Sequence, residues 1–168
     1  MARPLFNVAW AASQQVYDHE AATESAVATR VARVIGGTVA RNIDSGEWKN
    51  TCAVRMSYIL GRSGVQIPFV AGKTVSGADK RWYFFRVEDL IEYLTRQWGK
   101  PDLAAPYPPA GGGALAGKQG IVLVEVSGWR NASGHATLWN GRICYDHCYF
   151  NEQGATYRAD RANFWSLQ

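Results

Sequence analysis

Between Glu20 and Gly37, apolar side chains recur at Val27, Val31, Val34 and Ile35, the i, i+4, i+7, i+8 spacing of one helix face, with polar residues between them. That period predicts an amphipathic helix, and Gly36-Gly37 predicts its stop. A second helix is predicted to open at Asn50-Thr51-Cys52. There Asn50 or Thr51 can cap the first turn, Ala53, Met56 and Leu60 share a face, and Gly61 or Gly64 ends the run. A third is predicted from about Val87 to Trp98, with Val87, Leu90, Ile91, Leu94 and Trp98 on one side and Gly99-Lys100-Pro101 as terminator. The segment 101–117 holds four prolines and four glycines and predicts a loop, of a length that in a packed domain is often functional.

After Lys118 the period changes. Ile121 to Val126 predicts a mostly buried strand. His135–Trp139 and Arg142–Asp146 flank Asn140-Gly141, the strongest short hairpin signal. A two-residue turn there pairs Trp139 with Arg142 and His135 with Asp146, whose Cβ atoms would then lie about 4.5–5.5 Å apart on one face. Leu138/Ile143 and Ala136/Tyr145 would fall on the other face and suit a core. Helices first and strands afterwards predict an α+β fold, N-terminal helices packed on an antiparallel sheet.

Composition narrows the function. The chain has 168 residues, which predicts one domain over 1–168, and 47% hydrophobic with 19% charged residues excludes a disordered chain. The net charge is +4, yet no run of four basic residues occurs, so a nucleic-acid partner is not expected. No apolar stretch is long enough to span a bilayer, and the first ten residues do not form a secretory signal. Seven tryptophans and eight tyrosines exceed what a core of this size needs and point to an aromatic-lined cleft.

Cys52, in the first turn of its helix, would sit near unpaired N–H groups and the positive end of the macrodipole, which favour the thiolate. His135 facing Asp146 would supply a base and the acid that fixes its tautomer. Each has a plain alternative: an inert buried thiol and a cross-strand ion pair. Arg55 could clamp a substrate carboxylate or form a structural ion pair. His147 would point away from Asp146, and His19 lies in a polar segment. Asp44, Asp79 and Asp160 have no paired carboxylate at an informative spacing. Neither Gly36-Gly37 nor Gly111-Gly112-Gly113 matches a phosphate-binding motif. Cys144 and Cys148 make a poor zinc pair. A disulfide between them requires a sharp turn at Asp146, because an extended strand would hold their Cα atoms about 13 Å apart. Two free thiols are the alternative.

The run Asn50-Thr51-Cys52-Ala53-Val54-Arg55-Met56-Ser57-Tyr58, followed by Ile67-Pro68, resembles the cysteine motif of the fourth family of type VI secretion amidase effectors. Gly134-His135-Ala136-Thr137-Leu138-Trp139-Asn140-Gly141 resembles their histidine motif, and Cys144-Tyr145-Asp146-His147-Cys148 their acid-bearing segment. Ile35-Gly36-Gly37 and the helix from Leu90 to Gly99 also fit, whereas 101–117 matches nothing. The resemblance implies a papain-like, NlpC-type cysteine amidase that cuts peptidoglycan stem peptides between D-glutamate and meso-diaminopimelate. Cys52 would be nucleophile, His135 general base and Asp146 the orienting acid, with no metal or organic cofactor and with the Cys52 N–H among the oxyanion donors. It further implies delivery by the type VI apparatus to the periplasm of a rival cell, where a Cys144–Cys148 bridge would form, and a cognate immunity protein; the net charge of +4 in turn predicts an acidic contact surface on that partner. The rivals are a housekeeping cell-wall hydrolase and a non-catalytic, aromatic-rich binding protein.

Overall fold

In the computed structural model, which describes residues 2–168, the helix predicted between Glu20 and Gly37 runs from Glu24 to Ile35 and stops at its glycines. Helix α2 (Glu24–Ile35) follows α1 (Phe6–Val16) and begins where Thr23 Oγ1 accepts the Ala26 N–H at 3.3 Å. Gly36, at φ +65°, ends it, and Gly37, at φ +63°, starts α3 (Gly37–Asp44). The pair is therefore the predicted stop, followed at once by a bend into a further helix. A Cβ on Gly37 would sit 2.5 Å from the carbonyl carbon of Gly77, so this corner also needs glycine to let two backbones touch. Helix α1 carries no clear apolar stripe in sequence, since its buried side is made of Ala9, Ala12, Ser13 and Val16.

Helix α4 (Cys52–Arg62) is buried at every position from Cys52 to Leu60. A helix covered all round belongs in the middle of the structure, and α4 packs against α1, against the short strand Trp82–Phe84 and against the strand Gly134–Trp139 of the main sheet. Thr51 is its N-cap by position but makes no side-chain cap; Asn50 Oδ1 instead accepts the Cys52 N–H at 3.0 Å. Strands β1 (Thr74–Ser76) and β2 (Trp82–Phe84) form a small antiparallel hairpin, too short for an alternation to show in sequence. Helix α5 (Val87–Trp98) matches the predicted span, and Gly99, at φ +84°, caps it.

The main sheet comprises β3 (Leu103–Pro106), β4 (Gly120–Ser127), β5 (Gly134–Trp139) and β6 (Arg158–Ser166), antiparallel in the order β3-β6-β4-β5. Ile121, Leu123, Ala136, Leu138 and Trp165 join the helices in one core, while Val122, Val124, Trp139 and Phe164 pack into a second with Leu115 and Phe150. The segment 101–117, predicted as a loop, thus contributes an edge strand and a cover for the second face. Leu115 is fully buried, and its carbonyl accepts the Trp139 Nε1–H at 2.9 Å.

The predicted hairpin is corrected in register. Trp139 bridges Cys144 rather than Arg142, and the Tyr145 N–H donates to Leu138 O at 3.1 Å. Asn140 keeps a negative φ, unlike the first residue of a type I′ turn, and its Oδ1 accepts the N–H groups of Arg142 and Ile143 at 3.0 and 2.9 Å. The turn therefore spans 140–143, Ile143 is 57% exposed instead of facing Leu138, and Asp146 comes opposite Thr137. Beyond this turn the chain bends sharply, with the Cys144 and Cys148 Cα atoms 5.3 Å apart and their sulfurs bridged.

Two glycines with similar φ separate backbone strain from steric contact. Gly46→Ala, at φ +79° with no atom within 4 Å of the added Cβ, should cost about 1–2 kcal/mol. Gly37→Ala adds a clash with the Gly77 backbone and should cost at least about 1 kcal/mol more, read as a larger fall in the urea midpoint. Equal midpoints would refute the close approach.

Candidate active site

The start of α4 and the edge of the main sheet bring three distant residues together. Strand β5 is an edge strand, so its outward N–H groups have no strand partner, and that of Ala136 is among the groups that lower the Cys52 thiol pKa. Cys52 Sγ lies 3.9 Å from the Gly134 carbonyl oxygen, and the neighbouring His135 ring is the strongest of the groups that lower the pKa of its thiol. The His135 Nε2 lies 3.1 Å from Asp146 Oδ2, off the line of an ideal N–H···O bond, which leaves Nδ1 as the ring nitrogen for the thiol. Asp146 Oδ1 accepts the Thr137 hydroxyl at 2.5 Å, and Oδ2 accepts Arg55 Nη1 at 2.9 Å. The same Nη1 donates to the Tyr145 hydroxyl at 3.0 Å, and the guanidinium packs over the Tyr17 ring, 5.2 Å from its centre. The side chains of Arg55, His135 and Asp146 are only 7%, 4% and 2% exposed.

Burial opposes charge on each of these groups, and their neighbours outweigh it. Desolvation pushes the Cys52 thiol up, but the hydrogen bond and charge of His135, the Arg55 charge and the Ala136 N–H bring it below the ordinary thiol value. Desolvation pushes His135 down, whereas Asp146 and Cys52 raise it to about 9. Desolvation pushes the Asp146 carboxyl up, while His135, Arg55 and Thr137 carry it down to about 2. The directions agree on one state: thiolate beside imidazolium, with a charged carboxylate behind.

A cleft of about 320 Å³ opens over this set, lined by His135, Thr51, Trp129, His147 and Tyr149 among others. Trp129 meets the expectation of aromatic lining. His147 is exposed and meets Tyr149 edge-on at 4.3 Å, and His19 is exposed against Tyr17. Asp79 accepts the Tyr83 hydroxyl at 2.8 Å, Asp160 pairs with Arg158, and Asp44 is exposed, so none of the three joins the site. Among the described residues, no cluster of three or more His, Cys, Asp or Glu is arranged to hold a metal ion, and no helix is long and apolar enough to cross a membrane.

Four side chains that matter were not singled out by sequence, or were singled out for another role. Of the two alternatives for Arg55 the structure shows the ion pair, made with Asp146 itself. Thr137 carried a signal, since it lies two residues from His135 on the same face. Tyr17 and Tyr145 carried none. The Cys52 N–H, expected to face an oxyanion, is taken by Asn50 Oδ1.

Residues 48–165 match the family model of the type VI secretion system (T6SS) amidase effector protein 4, Tae4. No curated protein sequence matches the chain. Among solved structures, the effector Tae4 from Salmonella typhimurium, in complex with the immunity protein Tai4 from Enterobacter cloacae, is 39% identical with a TM-score of 0.84, over 99% of this chain and 100% of that one. Tae4 in the Tae4–Tai4 effector–immunity complex from Enterobacter cloacae is 40% identical, also with a TM-score of 0.84, over 99% of each chain. Tae4 from Enterobacter cloacae alone is 38% identical with the same score, over 100% of both chains. The α+β, papain-like class expected from the sequence is the one these effectors share. With a family match over more than half its length and whole-chain likeness at this identity, the protein belongs to the type VI secretion amidase effector 4 family.

Proposed function

We propose that the protein is a cysteine amidase that hydrolyses peptidoglycan stem peptides, with Cys52 as nucleophile, His135 as general acid and base, and Asp146 as the orienting acid. The observation that carries this is the continuous buried contact from the Cys52 sulfur through the His135 ring to a carboxylate that Arg55 and Thr137 hold charged. The Cys52 thiolate attacks the amide carbonyl, and the imidazolium gives its proton to the leaving amine as the C–N bond breaks. The neutral imidazole then takes a proton from water, whose oxygen attacks the thioester. Acid is released and the thiolate–imidazolium pair is restored. The positive end of α4 lies under the developing negative charge.

Family resemblance supports the D-glutamyl–meso-diaminopimelate bond as the target, delivery by the type VI apparatus, and antibacterial action in the periplasm of the recipient cell. The Cys144–Cys148 bridge suits that oxidising compartment. The solved relatives bound to Tai4 support a cognate immunity protein for this chain, and a seat over the cleft would let it block the enzyme. Residues 1–168 serve as a single amidase domain with no metal or organic cofactor.

Incubation with purified muropeptides, followed by mass analysis, should show a product pair heavier by one water in total, with a new amine on diaminopimelate. Cys52→Ala and His135→Ala should fall below about a thousandth of wild-type rate while melting normally. Full activity in Cys52→Ala would sink the mechanism, and cleavage elsewhere would reassign the bond.

The pH profile follows from the directions above. The rate should rise as the thiol loses its proton, below the ordinary value, and fall as His135 loses its own near pH 9. Asp146→Asn removes the charge that raises His135, so the falling limb should move to lower pH and the rate should drop on the order of 10²-fold. It also leaves Arg55 buried without its counter-ion, at a cost of about 3–5 kcal/mol in denaturant titration. An unchanged alkaline limb in Asp146→Asn would show that the carboxylate does not tune His135.

A further inference from the structure

Tyr149 has a φ of +53°. Lys80 and Tyr107 are the other non-glycine residues with positive φ among those described, and neither touches the cleft set. A bulky L-residue adopts this conformation only where its surroundings leave no alternative. Here both flanks are pinned. On one side stands the Cys144–Cys148 bridge. On the other, Phe150 is 1% exposed, and the Asn151 N–H donates to Pro108 O at 2.9 Å while its carboxamide accepts from Ala159 N–H and donates to Ala159 O, both at 2.9 Å. The chain cannot relax between these anchors, and the Tyr149 ring goes where they send it.

It goes against His135. The two ring centres are 4.7 Å apart at an interplanar angle of 64°, an edge-on contact. The ring also packs against Trp129 at 4.9 Å and Tyr157 at 5.7 Å, and meets His147 at 4.3 Å. The imidazole has Cys52 from α4 on one nitrogen and Asp146, with Arg55 and Thr137 behind it, at the other. Tyr149 and His135 both line the cleft, so the tyrosine ring occupies the side on which the imidazole would otherwise meet open space.

We propose that Tyr149 is a positioning residue, whose strained backbone presses its ring on His135 and keeps the imidazole between Cys52 and Asp146. This rests on His135 serving Cys52, as above, but its test needs no substrate. Without the ring, His135 can turn into the cleft. Cys52 then loses the hydrogen bond and the charge that lower its pKa, and burial, which raises it, is left to act.

Cys52 is the free thiol, since Cys144 and Cys148 are bridged, so the rate of iodoacetamide alkylation against pH reports its ionisation. Tyr149→Phe keeps the ring and should reproduce the wild-type profile within twofold. Tyr149→Asn and Tyr149→Gly remove the ring and suit a positive φ, so both should still fold cooperatively. In both, the alkylation half-point should move up by about one pH unit or more, and muropeptide hydrolysis should slow at least tenfold. An unmoved half-point in the folded Asn and Gly variants would overturn the proposal. A shift in Tyr149→Phe as large as in Tyr149→Asn would also overturn it, because the hydroxyl and not the ring would then be responsible. If wild-type protein cleaves no muropeptide, the proposed activity fails, while the alkylation profiles still decide the role of Tyr149.

Discussion

The Asp146 carboxylate, 2% exposed, is what the rest of the site is built around. Taking a carboxylate out of water costs several kcal/mol, and it persists as an anion only if each oxygen is met. Oδ1 has the Thr137 hydroxyl; Oδ2 has Arg55 and, at 3.1 Å, His135. Arg55 supplies a full positive charge that does not titrate, so the carboxylate stays ionised whether or not His135 is protonated. That leaves the imidazole free to gain or lose a proton while the acid behind it stays charged. A histidine alone would leave Asp146 unpaired whenever the imidazole is neutral.

One helix supplies both the sulfur and this counter-ion. Cys52 and Arg55 are three residues apart on α4, close to one turn, so their side chains leave the same face. Once α4 docks through Ala53, Met56 and Leu60, the thiol and the guanidinium arrive together. Edge strand β5 brings His135 and Thr137, two residues apart and again on one face. The site thus needs only the relative placement of one helix and one strand, plus a bent segment to carry Asp146. The buried volume of Met56, Ile59 and Leu60 under α4 is therefore part of what aligns the chemistry, although none of them touches it.

Legibility in the sequence followed the physics of each element. Helix α5 shows an uninterrupted apolar face and a glycine stop, so its ends could be read directly. Helix α1 buries mainly alanine and serine, which a hydrophobic pattern does not distinguish from surface. Strand β6 opens Arg158-Ala159-Asp160-Arg161-Ala162-Asn163, poor in β-branched residues, and it is made a strand by the neighbours on either side. Its buried Asn163 is tolerated because its Nδ2 donates to Glu125 at 2.8 Å. Gly36-Gly37 signals an end of helix whether the chain then leaves or turns into another helix, and that choice is made by the Gly77 backbone lying against it.

The sequence brings His135 and Asp146 together through a turn of the wrong length. A two-residue turn would set Asp146 opposite His135, whereas the Asn140 side chain closes a longer one and sets it opposite Thr137. The slip is two residues, an even number, so every side chain keeps its face of the ribbon and Asp146 stays on the side of His135. It becomes the diagonal neighbour, which a long side chain still reaches. The direct position opposite goes to Thr137, whose hydroxyl fills the oxygen that the imidazole does not face. A slip of one residue would have sent the carboxylate into the helix-facing core beside Leu138 and put Tyr145 in the cleft. What sequence alternation encodes here is the face, and what the Asn140 turn adds is the diagonal offset that gives the carboxylate a second partner.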